Sequence, residues 1–139
     1  MKITEARTDE EILKCWQVMH ELRPHLLKEN FLSLIRVMQS EGYRLAFIEE
    51  NEMAVAAIGF RYLQFLYNGK HFYIDDLSTL PEQRKKGYGA LLLDYVFELA
   101  KQNGFEVVTL DSGHHRHEAH RLYLNKGFQI SSHHFSKRL

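Results

Sequence analysis

Hydrophobic positions change their spacing twice along this chain. Residues 2–7 alternate weakly and read as a first strand. Thr8-Asp9-Glu10-Glu11 has the signature of a helix start, an N-cap residue followed by acidic residues in the first turn. Ile12, Cys15, Trp16 and Met19 then recur at helical spacing, as a packed core stripe would, until Pro24 stops the run. Leu27, Phe31, Leu34, Ile35 and Met38 predict one face of a second helix that ends near Gly42. From Tyr43 the spacing gives way to aromatic and branched clusters. Tyr43 to Glu49, Ala54 to Leu66 and Lys70 to Thr79 predict three strands, separated by Glu50-Asn51-Glu52 and by the Asn68-Gly69 pair. Asn-Gly between two such runs predicts a hairpin turn, since both residues accept positive φ.

Helical spacing returns over residues 86–103, with Leu91, Leu92, Tyr95, Val96, Leu99 and Ala100 on the apolar face and Asn103-Gly104 as the stop. Val107 to Leu110 predicts a short buried strand, and residues 114–126 a last helix closed by Gly127. Phe128 to Leu139 is expected to add one or two closing strands. The order β-α-α-β-β-β-α-β-α-β(-β) predicts an α/β protein of the α+β type. One domain over residues 1–139 would hold a central mixed, mostly antiparallel sheet flanked by helices.

Composition narrows the function. In 139 residues, 45% are hydrophobic and 12% aromatic, enough for a real core. The 18 basic residues balance 18 acidic ones, so no general field attracts nucleic acid or an anionic membrane, and any anion site must be local. The one cysteine, Cys15, excludes a disulfide framework. The N-terminus lacks the features of a signal peptide, and no apolar run is long enough to span a bilayer, which together predict a cytoplasmic protein.

One segment breaks a local rule. Arg84, Lys85 and Lys86 stand where a helix opens, although the positive end of the helix dipole favours acidic residues there by about 0.3–1 kcal/mol each. Gly87 and Gly89 follow in the first turn, each about 1 kcal/mol worse than alanine inside a helix. An anionic ligand resolves both conflicts: free N–H groups point at it, the cations pair with it, and the glycines let it approach the backbone. Gly87-x-Gly89 is only part of a dinucleotide fingerprint, because Leu92 stands where a third glycine belongs. No G-x-x-x-x-G-K-[ST] run exists.

Arg84-x-x-Gly87-x-Gly89, after a strand and before an amphipathic helix, resembles motif A of the GNAT superfamily of acyl-CoA-dependent N-acyltransferases. Ala119-His120-Arg121-Leu122-Tyr123-Leu124-Asn125-Lys126-Gly127-Phe128 resembles that family's A-x-x-[LF]-Y-x-x-x-G-F segment. The resemblance implies acetyl-CoA as cosubstrate. The backbone at Leu77, Ser78 and Thr79 would pair with its pantetheine arm. The N–H groups from Arg84 through Lys85, Lys86, Gly87, Tyr88 and Gly89 to Ala90 would hold its pyrophosphate. Arg116 and Lys126 complete the expected cofactor set. Arg116 replaces an asparagine often found three residues before the motif's alanine, and could meet the cofactor's phosphates or an acidic substrate instead.

Acetyl transfer to an amine needs a base, because a primary ammonium is mostly charged at neutral pH, and an acid for the departing thiolate. Asp75 and Asp76 are the base candidates, an acidic pair in an apolar strand that alternation would put on opposite faces unless a bulge intervenes. A similar pair occurs in polyamine acetyltransferases of the superfamily. The resemblance makes Tyr123 the candidate general acid. The nine histidines, including His114, His115, His117, His133 and His134, lack the cysteine or carboxylate spacing of a metal site, so no metal is expected. The predicted reaction is direct attack of an amine in a ternary complex, with a small cationic amine as acceptor. A protein lysine or N-terminal amine and a non-catalytic acetyl-CoA sensor are the alternatives, and a homodimer is compatible with the resemblance. Leu22, Arg23, Pro24 and His25 fall in the helix connection that often forms the acceptor wall of this superfamily.

Overall fold

The computed structural model describes residues 2–139. The first strand, β1 (Ile3–Glu5), leads to Thr8, whose Oγ1 accepts the Glu11 amide at 3.1 Å while the Glu11 carboxylate accepts the Thr8 amide at 3.0 Å. This reciprocal cap starts α1 (Asp9–Lys14), as the acidic first turn predicts. The expected single helix to Pro24 is two helices. At Cys15 the amide bonds Ile12 O, three residues back, and the chain restarts as α2 (Trp16–Leu22). Next comes α3 (Lys28–Ser40), which buries Phe31 and Ile35 but leaves Leu27 and Leu34 exposed, so its core face is narrower than predicted.

Three long strands follow: β2 (Tyr43–Glu50), β3 (Met53–Phe65) and β4 (Gly69–Thr79). Asn51 and Glu52, with φ of 53° and 65°, make the tight first turn. The second turn makes the hairpin expected at Asn68-Gly69, but not with positive φ at both residues. Leu66, Tyr67 and Asn68 form a three-residue loop that closes on Gly69 at φ 71°, and Asn68 keeps a negative φ. Then come α4 (Tyr88–Gln102), β5 (Val107–Leu110) and α5 (His117–Asn125). The last helix starts three residues later than predicted, with Arg116 as its N-cap. In α4 the core face is Leu92, Leu93, Val96 and Ala100, and Leu91 lies outside it.

The five strands line up in sequence order in a mixed sheet whose first three pairings are antiparallel and whose last, β4 with β5, is parallel. Consecutive residues of β2 (45–48) and β3 (54–60) are buried, so helices cover both faces, and α2 and α4 both pack on β3 and β4. The closing strands expected after Gly127 are absent among the described residues. Residues 128–139 run without ladder pairing, and Ile130, Phe135 and Leu139 stay exposed. Serine and histidine between those apolar positions give the segment little apolar surface with which to bind the β5 edge.

Candidate active site

The parallel ladder ends early. Its last pair is Ile74 with Leu110, while β4 continues to Thr79 bonded only to β3. The side of β4 that faced β5 is therefore free of ladder bonds from Asp75 onward, and a cleft of about 1170 Å³ opens there between β4 and α5. Leu77, Ser78, Thr79, Arg84, Lys85, Gly87, Tyr88, Gly89, Ala90 and Arg116 line it, which gathers most of the predicted cofactor set in one place. Ser78 contributes backbone only, because its hydroxyl donates to Val18 O at 2.8 Å and ties α2 to the sheet.

Leu80 and Pro81 carry the chain through a turn of 3-10 helix to the loop before α4. Lys85 (φ 66°) and Gly87 (φ 80°) are both left-handed there. The first intrahelical bond of α4 is Leu91 N–H to Gly87 O at 3.1 Å, so the amides of Tyr88, Gly89 and Ala90 have no carbonyl within the helix. They line the cleft at the positive end of the helix dipole, where an anion would be favoured. Gly89 serves a second purpose: a Cβ there would lie 3.0 Å from Leu122 Cδ2, so the missing side chain lets α5 close on α4. Arg84 is held at the mouth by Thr79 O (3.3 Å) and Glu21 (3.5 Å). The Tyr88 side chain is buried with its hydroxyl on Glu50, leaving its amide for a ligand.

Two predicted cofactor residues fall outside the cleft. Lys126 forms an ion pair with Asp94 at 2.6 Å and borders a separate groove between α4 and β5, because the C-terminal end of α5 points toward α4. Lys86 turns back to Gln83 Oε1 at 2.5 Å and offers the cleft no side chain.

A smaller pocket of about 320 Å³ adjoins the cleft through Leu22, Leu77, Arg116 and Tyr123. Asp75 and Asp76 both line it. Strict alternation would separate them, but the β3–β4 register slips between Gly59 and Phe60, which pair with Asp76 and Ile74 and leave Asp75 as the extra residue of a bulge. Neither carboxylate is free. Asp75 accepts from Arg61 Nε (3.0 Å) and Nη2 (2.8 Å). Asp76 accepts from Arg23 Nε (3.1 Å) and Nη2 (2.9 Å) through one oxygen and from the Tyr43 hydroxyl (2.8 Å) through the other. Arg61 also lies over the Tyr43 ring at 5.5 Å, which joins the two pairs into one cluster. Burial pushes the Asp75 carboxyl above the usual carboxylate range, against the pull of Arg61.

Tyr123 stands where cleft and pocket meet. Its place follows from the helix end. Gly127 (φ 93°) reverses the chain, the Phe128 amide returns to Tyr123 O at 3.0 Å, and the Phe128 ring meets the Tyr123 ring edge-on at 5.8 Å. The Y-x-x-x-G-F run is thus a helix cap that fixes its own tyrosine. The hydroxyl has no protein partner among the described residues. Burial raises its pKa, opposed by the fields of Arg116 and Arg23, so it keeps its proton at neutral pH. Among the described residues no three His, Cys, Asp or Glu side chains converge as metal ligands would. Tyr43, Gly59, Arg61 and Asp111 escaped the sequence reading. Only Gly59, a glycine inside a strand pattern, carried a signal, that of a close approach.

The model of the acetyltransferase (GNAT) family matches residues 6–128. An uncharacterised N-acetyltransferase of Bacillus subtilis (strain 168), YhdJ, is 38% identical over 130 residues, which cover 92% of each chain. The aminoalkylphosphonate N-acetyltransferase of Salmonella typhimurium is 38% identical over 66 residues, covering 48% of this chain and 43% of that one. A ribosomal-protein-alanine N-acetyltransferase from Brucella melitensis shares the fold, with a TM-score of 0.83 over all of both chains at 12% identity.

Proposed function

The chain belongs to the GNAT family of N-acetyltransferases, and from that premise we propose that it moves the acetyl group of acetyl-CoA to a primary amine of a small molecule by direct attack in a ternary complex, in the cytoplasm. The observation that carries this reading is the position of Tyr123. Its protonated hydroxyl sits at the junction between an anion-binding cleft and a polar pocket, which is where a leaving thiolate and an incoming amine would meet.

The residues present fit the cosubstrate. The free amides of Tyr88, Gly89 and Ala90, with Arg84 and Lys85, suit a pyrophosphate. The unpaired side of β4 from Leu77 to Thr79 suits a pantetheine arm added like a strand. Acetyl-CoA supplies the acyl thioester and the thiolate leaving group. Asp75, whose carboxyl is raised by burial, takes the proton of the acceptor ammonium through water. Tyr123 holds the proton that the thiolate needs. A pocket of about 320 Å³ matches a small acceptor, in line with the small amine named for the Salmonella relative.

Isothermal titration with acetyl-CoA tests the reading. Micromolar binding by the wild type, lost in a folded Gly87→Asp/Gly89→Asp double variant, is expected, together with thiol release when an amine is added. Absence of binding to the wild type would remove the cofactor site and the roles of Asp75 and Tyr123 with it.

A further inference from the structure

The pocket beside Tyr123 contains two charges that no opposite charge holds closely, Arg116 and Asp111. Asp75 is held by Arg61, Asp76 by Arg23 and Tyr43, and Asp111 accepts the Tyr73 hydroxyl at 2.8 Å. Arg116 lines the same pocket, is only half-buried, and makes no ion pair or side-chain hydrogen bond among the described residues. Arg23 spends Nε and Nη2 on Asp76 and on Asp75 O and leaves Nη1 without a protein acceptor. Arg116, like Tyr123, borders both the cleft and this pocket, whereas Arg84 and Lys85 line the cleft alone. Arg116 is therefore the unpaired cation within reach of the acceptor side of the junction.

A guanidinium removed from bulk water without a counterion is costly, and its planar fork matches an oxyanion. The distal ammonium of a polyamine would find no free carboxylate in the Asp75–Asp76 pair, which leaves Asp111 for one ammonium and Arg116 for an acid group beside it. Resting on the acetyltransferase reading above, we propose that the acceptor carries an acid group, a carboxylate or phosphonate, a few bonds from its amine. Arg116, with the free edge of Arg23, grips that group. Asp111, at the other end of the same loop, meets the ammonium as it enters. The zwitterion is held by its acid end while its deprotonated amine attacks the acetyl carbon, and the amine's proton leaves toward Asp75.

The test compares initial rates on matched amines: 2-aminoethylphosphonate, β-alanine, ethanolamine and spermidine, with wild type, Arg116→Gln and Arg116→Lys. At least one acid-bearing amine is expected to exceed ethanolamine by about 10- to 100-fold in kcat/KM. Arg116→Gln erases that margin through the acceptor KM, with the acetyl-CoA KM unchanged, and Arg116→Lys restores part of it. The phosphonate and carboxylate arms tell which acid the fork fits. Equal losses on ethanolamine, a selective rise in the acetyl-CoA KM, or spermidine as the best acceptor would each overturn the proposal and leave the acetyltransferase reading standing. So would acetyl-CoA binding without turnover of either acid-bearing amine. Failure of the wild type to bind acetyl-CoA would fell both.

Discussion

The Tyr43 hydroxyl occupies the space that a side chain on Gly59 would need: a Cβ there would lie 1.8 Å from it. Gly59 pairs with Asp76 across the β3–β4 ladder, so the bare backbone lets a buried tyrosine reach the carboxylate at 2.8 Å. Gly59→Ala should therefore cost about 1–3 kcal/mol in urea denaturation, as over-packing does in a core that cannot yield. Tyr43→Ala should make the alanine at 59 much less harmful. A double-mutant cycle with additive losses would show that the two residues do not compete for one space.

Tyr123→Phe deletes the one hydroxyl at the junction and leaves the ring against Phe128. The expected result is a loss of kcat of about 10²–10⁴-fold, with acetyl-CoA binding by titration unchanged. Because burial raises this hydroxyl above its ordinary range, the wild-type rate should stay flat through mildly alkaline pH. A phenylalanine variant with full kcat would leave the thiolate to be protonated by water.

Asp75 gives the acid side of the pH profile. A base works once ionised, and burial raises the pKa of this one, so kcat/KM should rise with pH around a midpoint above the ordinary aspartate value of about 3.9. Asp75→Asn should remove that limb and lower the plateau, while Asp76→Asn, which loosens Arg23 and Tyr43, should show chiefly as reduced stability. An unchanged limb in Asp75→Asn would assign the proton to another group.

Glu5 controls stability rather than rate. Burial opposes its ionisation, but Arg44 at 2.5 Å and Arg7 outweigh burial and hold its carboxyl below the usual range. A depressed carboxylate stabilises above its unfolded pKa and loses that contribution as pH falls through the folded value. Urea midpoints of the wild type should thus fall between about pH 5 and about pH 3 more than those of Glu5→Gln. Parallel curves would show that the Arg44 pair contributes nothing to folding.

Local chemistry was readable where one segment decides it. Thr8 and Glu11 cap α1 from within four residues, and the Arg84–Gly89 and Tyr123–Phe128 runs state their own backbone geometry. What depends on two distant segments was not readable. The bulge that turns Asp75 and Asp76 into one pocket belongs to the pairing of β4 with Gly59, and Lys126 left the cofactor set because Asp94 on α4 captures it. The pairing of each aspartate with an arginine from elsewhere in the chain, Arg23 or Arg61, likewise arises only in the folded state. The predicted closing strands failed for a related reason: Phe128, Ile130, Phe135 and Leu139 are too sparse to reward pairing with the β5 edge.

The proposed proton donor, Tyr123, is thus steadied by the chain that leaves α5, through the Phe128 amide and ring. Displacement of residues 127 and 128 would swing the hydroxyl without touching the sheet or the phosphate loop. Ligand capture and turnover are therefore mechanically separable in this molecule: a lesion beyond the last helix could leave a protein that holds acetyl-CoA normally and spends it slowly.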